Sequence, residues 1–264
     1  MENEIIQKWP DNLVLVRHGQ SIYNEERELI NRGVLKTYTK NIKDVRGQSI
    51  YNEERELINR GVLKTYTKNI KDVRNADIPL SKKGREQAAK TAEFLKNHYK
   101  NFDIIFASPF ERALETAKII AKKFPKSRFI IEERIREKEF GIADGLTADE
   151  LKTLFPYEYE RKQKEKKYYY RPIGGEAFTD VNLRIWSFLN TLVREYPKTN
   201  ILIVSHSAVM MSFRKLLEKF DEETLLEIDK KDMIKNCAMI SYRFDSNLKP
   251  KPKLNLEFYN KIAW

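Results

Sequence analysis

Cysteine occurs once in this 264-residue chain, at Cys237, and histidine only three times. A single thiol forms no intramolecular disulfide and supports no cysteine-based zinc cluster. Within Asn236-Cys237-Ala238-Met239-Ile240-Ser241-Tyr242 it reads as a small buried hydrophobe on a strand, the inert setting for a thiol. No apolar run reaches the roughly 18 residues of a membrane span, and Met1-Glu2-Asn3-Glu4 lacks the basic start of a signal peptide. A cytoplasmic protein without a membrane partner is expected. Gly/Ser and Pro-rich linkers are also missing between the element signals, which favours one domain over residues 1–264.

Acidic residues are in deficit, 39 against 50 Lys and Arg, for a formal net charge of +11. Such a balance raises nucleic acid as a partner. The cations are scattered over helices (Lys82, Lys83, Lys90, Lys96) or gathered in Arg161-Lys162-Gln163-Lys164-Glu165-Lys166-Lys167, which reads as a solvated face. Tyr168-Tyr169-Tyr170 next to that run offers rings for stacking on bases, but no finger, RNP or recognition-helix pattern accompanies it. The same positive field steers small phosphorylated metabolites, and these are the expected partner; homo-oligomer formation stays open.

What the chain does have is two apolar runs that end alike. Leu13-Val14-Leu15-Val16 runs into Arg17-His18-Gly19, and Ile201-Leu202-Ile203-Val204 runs into Ser205-His206. In an open α/β sheet, ligands bind outside the carboxyl ends of the strands. Two imidazoles and an arginine at that edge describe a pocket for an anion that one histidine can attack. The third histidine, His98, lies at a lysine-rich helix end and is expected to be solvated.

Residues 19–46 recur without one change as residues 47–74. Solenoid repeats need about three or more units and diverge at their ends, so this pair is a tandem duplication and not a solenoid. The second copy starts Val45-Arg46-Gly47-Gln48-Ser49 and so repeats the motif without its histidine. Ile30, Val34, Tyr38 and Ile42, and their equivalents Ile58, Val62, Tyr66 and Ile70, have helical spacing, weakened by Gly33 and Gly61. A pair of surface helices and a lid over the pocket are both compatible with that pattern.

Elsewhere, strand and helix signals alternate. Ser81 is placed to cap a helix, Phe102–Ala107 reads as a strand, and Ser108-Pro109 opens a helix with Arg112 in its first turn. Arg128–Ile131 reads as a short strand and Ile135–Gly141 as a loop. Thr147–Phe155 and Glu176–Tyr196 read as helices, and the segments around Ile240 and Leu254–Phe258 as edge strands. The alternation predicts an α/β three-layer sandwich, a mostly parallel sheet with helices on both faces.

Four motifs now stand in order: RHGQSIYN at 17–24, SPFERALETA at 108–117, IREKEFG at 135–141 and VSHS at 204–207. Together with LSKKGREQA at 80–88 and RPIGGEAF at 171–178, they make the chain resemble the histidine phosphatase superfamily, the phosphoglycerate-mutase-like proteins. The resemblance implies that His18 is a nucleophile forming a phosphohistidine that water hydrolyses. It implies that Arg17, Arg112 and His206 hold the phosphate oxygens with Ser21 and Asn24, and that Glu137 is the acid and base. It also implies catalysis without a metal or other cofactor.

Departures accompany the match. Ser207 stands where a glycine usually follows the second histidine, and IREKEFG differs from the mutase pattern, which favours hydrolysis over isomerisation. Glu133 and Glu139 compete with Glu137 for its role, and Glu176 reads as a helix N-terminal charge. Zinc accepts two histidines and a glutamate, but crowding arginines repel a cation and attract an anion. Three readings remain: a phosphatase for small phosphomonoesters, a 2,3-bisphosphoglycerate-dependent phosphoglycerate mutase, and an inactive binder of phospho-ligands. Specificity is expected in the duplicated insert and in residues 145–175.

Overall fold

The computed structural model describes residues 7–35, 74–248 and 253–264. A six-stranded sheet runs through it in the order β3-β2-β4-β1-β5-β6. The strands are β1 (Asn12–Arg17), β2 (Ile104–Ala107), β3 (Arg128–Ile131), β4 (Asn200–Ser205), β5 (Met239–Asp245) and β6 (Lys253–Lys261). The pairings β1–β4, β4–β2 and β2–β3 are parallel, and β1–β5 and β5–β6 are antiparallel. β5 is therefore interior, between β1 and β6; of the two segments read as edge strands, only β6 lies at an edge.

Side-chain alternation builds a core on each face. Leu13, Leu15, Ile201 and Ile203 join one buried cluster with Phe188, Leu192 and Phe213, and Val14, Val16, Leu202 and Val204 join another with Leu95, Ala113 and Ile120. Successive strand residues point to opposite faces, so these apolar runs fit a strand covered on both sides. Helices α2 (Lys82–His98) and α3 (Glu111–Ala121) cover the second face; α6 (Phe178–Glu195) and α7 (Ser207–Glu218) cover the first. Each fully buried Leu, Ile or Phe stabilises the fold by about 1.5–3 kcal/mol.

The remaining helices are α1 (Ile22–Asn31), α4 (Ala148–Leu154), α5 (Pro156–Tyr169) and α8 (Glu222–Lys231). None of the described helices is long and apolar enough to cross a membrane. The helical spacing that continues to Ile42 does not carry α1 past Asn31: Gly33 adopts φ +71°, the left-handed conformation glycine takes with least strain at a helix end. Tyr38, Ile42 and the second copy's helix signal lie outside the described residues.

Other expectations shift by a few residues or change character. Pro109 precedes the N-cap residue Phe110 and does not sit in the first turn of α3, while Arg112 keeps its place in that turn. Cys237 lies in a turn before β5 and not on it, with φ 53°; it is nonetheless fully buried, and burial pushes its thiol up to about 12. Tyr168 and Tyr170 are buried and Tyr169 is exposed, so the tyrosine run presents no continuous stacking surface.

Candidate functional site

Parallel pairing of β1 with β4 sets Arg17 opposite Ser205, so the residues that follow, His18 and His206, leave the sheet side by side. Their ring centroids are 5.1 Å apart, and both residues are buried. The main chain holds His18 closely. Its N–H donates to the Ser205 carbonyl at 2.9 Å, and its own carbonyl accepts from Cys237 N at 3.1 Å and Asn236 Nδ2 at 3.2 Å.

The loop after His18 is clamped against α2 and α3. Gly19 N donates to Thr116 Oγ1 at 3.1 Å, Gln20 N to Gln87 Oε1 at 2.9 Å, and Ser81 N to the Gln20 carbonyl at 2.8 Å. The hydroxyl of Ser81 caps α2 through Gly84 N and also donates to Gln20 Oε1 at 2.8 Å. Gly84 is required by this approach, since a Cβ there would fall on the Gln20 carbonyl oxygen.

His18 Nδ1 lies 2.7 Å from the Gly19 carbonyl oxygen, which only accepts, so this nitrogen carries the proton. Burial, with Arg112 and Arg17 nearby, holds the imidazole well below its usual range and keeps it neutral. The lone pair is then on Nε2, 3.3 Å from the Arg112 Nε that donates toward it. Arg112 is fixed from its other end, where Nη1 donates to the Asn75 carbonyl at 2.6 Å.

Arg17 and His206 supply two buried donor-capable atoms. Arg17 donates one Nη1 bond to the Ile234 carbonyl, while its Nε is buried without a partner among the described residues. Desolvation lowers this guanidinium to about 10, still charged at neutral pH. His206 Nδ1 is also buried without a hydrogen bond among the described residues, 3.8 Å from Glu137 Oε2, beyond hydrogen-bond length. Buried polar atoms left without partners are costly, and both atoms can donate to an acceptor.

Glu137 is thus the acidic residue that the Ile135–Gly141 loop brings to the histidines. Burial raises its carboxyl above the usual range against the opposing pull of Arg112 and Arg17. Glu133 is exposed, and Glu139 is 3.5 Å from Arg136, so the three candidates separate. Ser21 and Asn24 are joined in the capping box of α1, and Asn24 Oδ1 also accepts from Asn236 Nδ2 at 3.0 Å. Ser207 opens α7 after an extended His206, a backbone that any residue adopts. His98 ends α2 exposed, away from this cluster.

Several contributors escaped the sequence reading. Arg184 donates to the carbonyls of Arg134 at 2.6 Å and Glu137 at 3.3 Å and forks onto Glu176, which also accepts from Arg136 and from Glu139 N. Glu176 therefore organises the Glu137 loop, a larger part than that of a helix-end charge. Ser205 Oγ ties the Ile135 carbonyl to β4 at 2.7 Å, and Ser108 Oγ lies 2.7 Å from His206 Nε2. A pair such as Glu176 and Arg184, on either side of a helix start, was the one signal available.

Comparison with known proteins places the chain in a family. The sequence pattern of the histidine phosphatase superfamily (branch 1) matches residues 65–255. Phosphoglycerate mutase-like protein 4 of Arabidopsis thaliana is 29% identical over 136 residues, 52% of this chain and 59% of that protein. Fructose-2,6-bisphosphatase TIGAR B of Danio rerio is 30% identical over 184 residues, 68% of this chain and 52% of that protein. The chain therefore spans little more than half the length of each of these relatives. A mycobacterial glucosyl-3-phosphoglycerate phosphatase, solved with VO3, superposes with a TM-score of 0.62 at 19% identity, covering 95% of this chain and 99% of that one, a likeness of fold. By sequence and by fold, the chain belongs to the histidine phosphatase superfamily.

Proposed function

We propose that this protein is a phosphatase that hydrolyses small phosphomonoesters through a phosphohistidine on His18. The observation that carries the reading is the protonation of His18: with Nδ1–H donated to the Gly19 carbonyl, a bare Nε2 faces the Arg112 guanidinium. Phosphoryl transfer asks chiefly for positioning and for positive charge around the equatorial oxygens. Arg17 and Arg112 supply that charge and His206 a donor, beside the loop that Ser21 and Asn24 brace.

In the first step Nε2 attacks phosphorus, the Nε2–P bond forms, and the ester P–O bond breaks. Glu137, its carboxyl raised by burial, gives its proton to the leaving oxygen. In the second step the Glu137 carboxylate takes a proton from water as that water attacks phosphorus. The Nε2–P bond breaks, and inorganic phosphate leaves a neutral His18 and a protonated Glu137. Arginines at this density repel a metal ion, so the charge stabilisation is assigned to guanidinium groups and no cofactor is needed. A single buried thiol suits the cytoplasm, where small phosphorylated metabolites are the substrates.

The test is hydrolysis of para-nitrophenyl phosphate in EDTA by the protein and by His18→Ala. Turnover that survives EDTA and vanishes in the variant supports the reading. Loss of turnover with EDTA alone overturns it in favour of a metal. A mutase, an activity named among the relatives, would instead exchange phosphate between phosphoglycerates when 2,3-bisphosphoglycerate is added.

A further inference from the structure

Ser108 is fully buried at the end of β2, where its N–H donates to the Val204 carbonyl at 3.0 Å and continues the ladder with β4. Its hydroxyl oxygen accepts from Phe110 N at 3.3 Å and sits 2.7 Å from His206 Nε2. A hydroxyl has one proton to give and two lone pairs. With one lone pair turned to Phe110 N–H, two arrangements remain. If His206 Nε2 carries the ring proton, both lone pairs of Ser108 accept, and its own proton has no acceptor among the described residues. If Ser108 donates to Nε2, its proton and the Nε2 lone pair satisfy each other, and the ring proton belongs on Nδ1, which has no partner among the described residues.

We propose that Ser108 is a positioning residue that fixes His206 as its Nδ1–H tautomer, so that the nitrogen on the Glu137 side of the ring is a donor to the substrate phosphate. This inference rests on the phosphatase reading for the identity of the acceptor, while the tautomer itself follows from the hydrogen bonds of Ser108. A neutral imidazole has one N–H, and which nitrogen bears it is set by the bond the other nitrogen makes. Burial and the facing Arg112 keep His206 neutral, so a second proton does not relieve the choice. Nδ1 is the buried atom without a partner, 3.8 Å from Glu137 Oε2. In the opposite tautomer it would aim a lone pair at a phosphate oxygen, which is repulsive.

The arrangement makes the two histidines complementary. Both carry the proton on Nδ1, but His18 spends it on the Gly19 carbonyl and keeps Nε2 as an electron pair, whereas His206 accepts at Nε2 and keeps Nδ1–H as a donor. One hydroxyl and one carbonyl thereby divide the attacking and the donating functions between chemically identical side chains.

The experiment is 15N-histidine NMR on the full-length protein, with inorganic phosphate as the probe. His206, assigned by comparison with His206→Asn, is expected to show a protonated Nδ1 and an unprotonated Nε2, and its Nδ1–H resonance is expected to shift downfield on phosphate addition. Ser108→Ala is expected to shift the ring toward the Nε2–H form and to lower kcat by about 10²-fold, the effect of losing one donor to a reacting oxyanion, with a smaller change in KM. Ser108→Thr, which keeps the hydroxyl, is expected to restore both signatures. A wild-type His206 found as Nε2–H, or as imidazolium, overturns the proposal without any variant having to fold. A tautomer unchanged in Ser108→Ala overturns it equally. Failure of the phosphatase reading is distinguishable, because it abolishes turnover and leaves the nitrogen spectrum as described.

Discussion

Arg112 Nε lies 3.3 Å from Nε2 of His18, while its Nη1 is anchored 2.6 Å from the Asn75 carbonyl, so one planar group links the candidate nucleophile to the chain beyond the duplication. A lysine would keep a positive charge but lose this two-ended geometry. Arg112→Lys is expected to lower kcat on para-nitrophenyl phosphate by roughly 10²–10³-fold with unchanged circular dichroism. Activity within a few-fold of the parent would show that a point charge suffices.

The carboxyl of Glu137 is raised and the two imidazoles are depressed, and these directions fix the pH behaviour. Neutral histidines should persist well below pH 6.5, so kcat/KM should hold on the acid side of neutrality. It should fall toward higher pH, as Glu137 ionises and loses the proton that the leaving oxygen needs. Glu137→Gln is expected to remove that alkaline limb and to lower turnover of esters with poor leaving groups by about 10²–10⁴-fold.

The same residue carries a stability consequence of opposite benefit. A carboxyl raised by folding binds its proton more tightly in the native state, so stability falls as pH climbs from the ordinary value of 4.5 through the raised one. Glu137→Gln should therefore be more stable than the parent in neutral urea titrations, with the gap closing at about pH 4. A destabilised variant at pH 7 would assign the carboxylate a structural task instead.

Deleting residues 19–46 or residues 47–74 yields the same amino-acid sequence, because the copies are identical. Every residue at the described site has its equivalent in the product, including the arginine that precedes Asn75. The shortened protein is expected to keep turnover within about threefold, and its Tm is expected to stay level or rise, since shorter connections cost less closure entropy. A loss of more than tenfold would make the second copy part of the active form.

The sheet and the pair of histidines were legible because they rest on local pattern: fully apolar strands need cover on both faces, and each strand end carries its motif. Arg112 was legible through its distance along the SPFERA segment. Ser108, Arg184 and the interior place of β5 were not, since each depends on partners far along the chain: Ser108 on His206, Arg184 on the carbonyls of Arg134 and Glu137, and β5 on both β1 and β6. The helical spacing from Ile30 to Val34 was interrupted at Gly33, whose left-handed backbone ends α1, while Tyr38 and Ile42 lie outside the described residues.

Gln20, Ser21 and Ile22 are stitched to Pro79, Leu80 and Ser81 by two main-chain hydrogen bonds, a β-bridge and the bond from the Ser81 hydroxyl to the Gln20 side chain. The chain thus comes back beside residues 20–22 at residues 79–81. For an engineer this closed clasp is a socket: a reporter domain exchanged for residues 36–73 is expected to leave the Tm within a few degrees, because the clasp itself holds the two flanks in register.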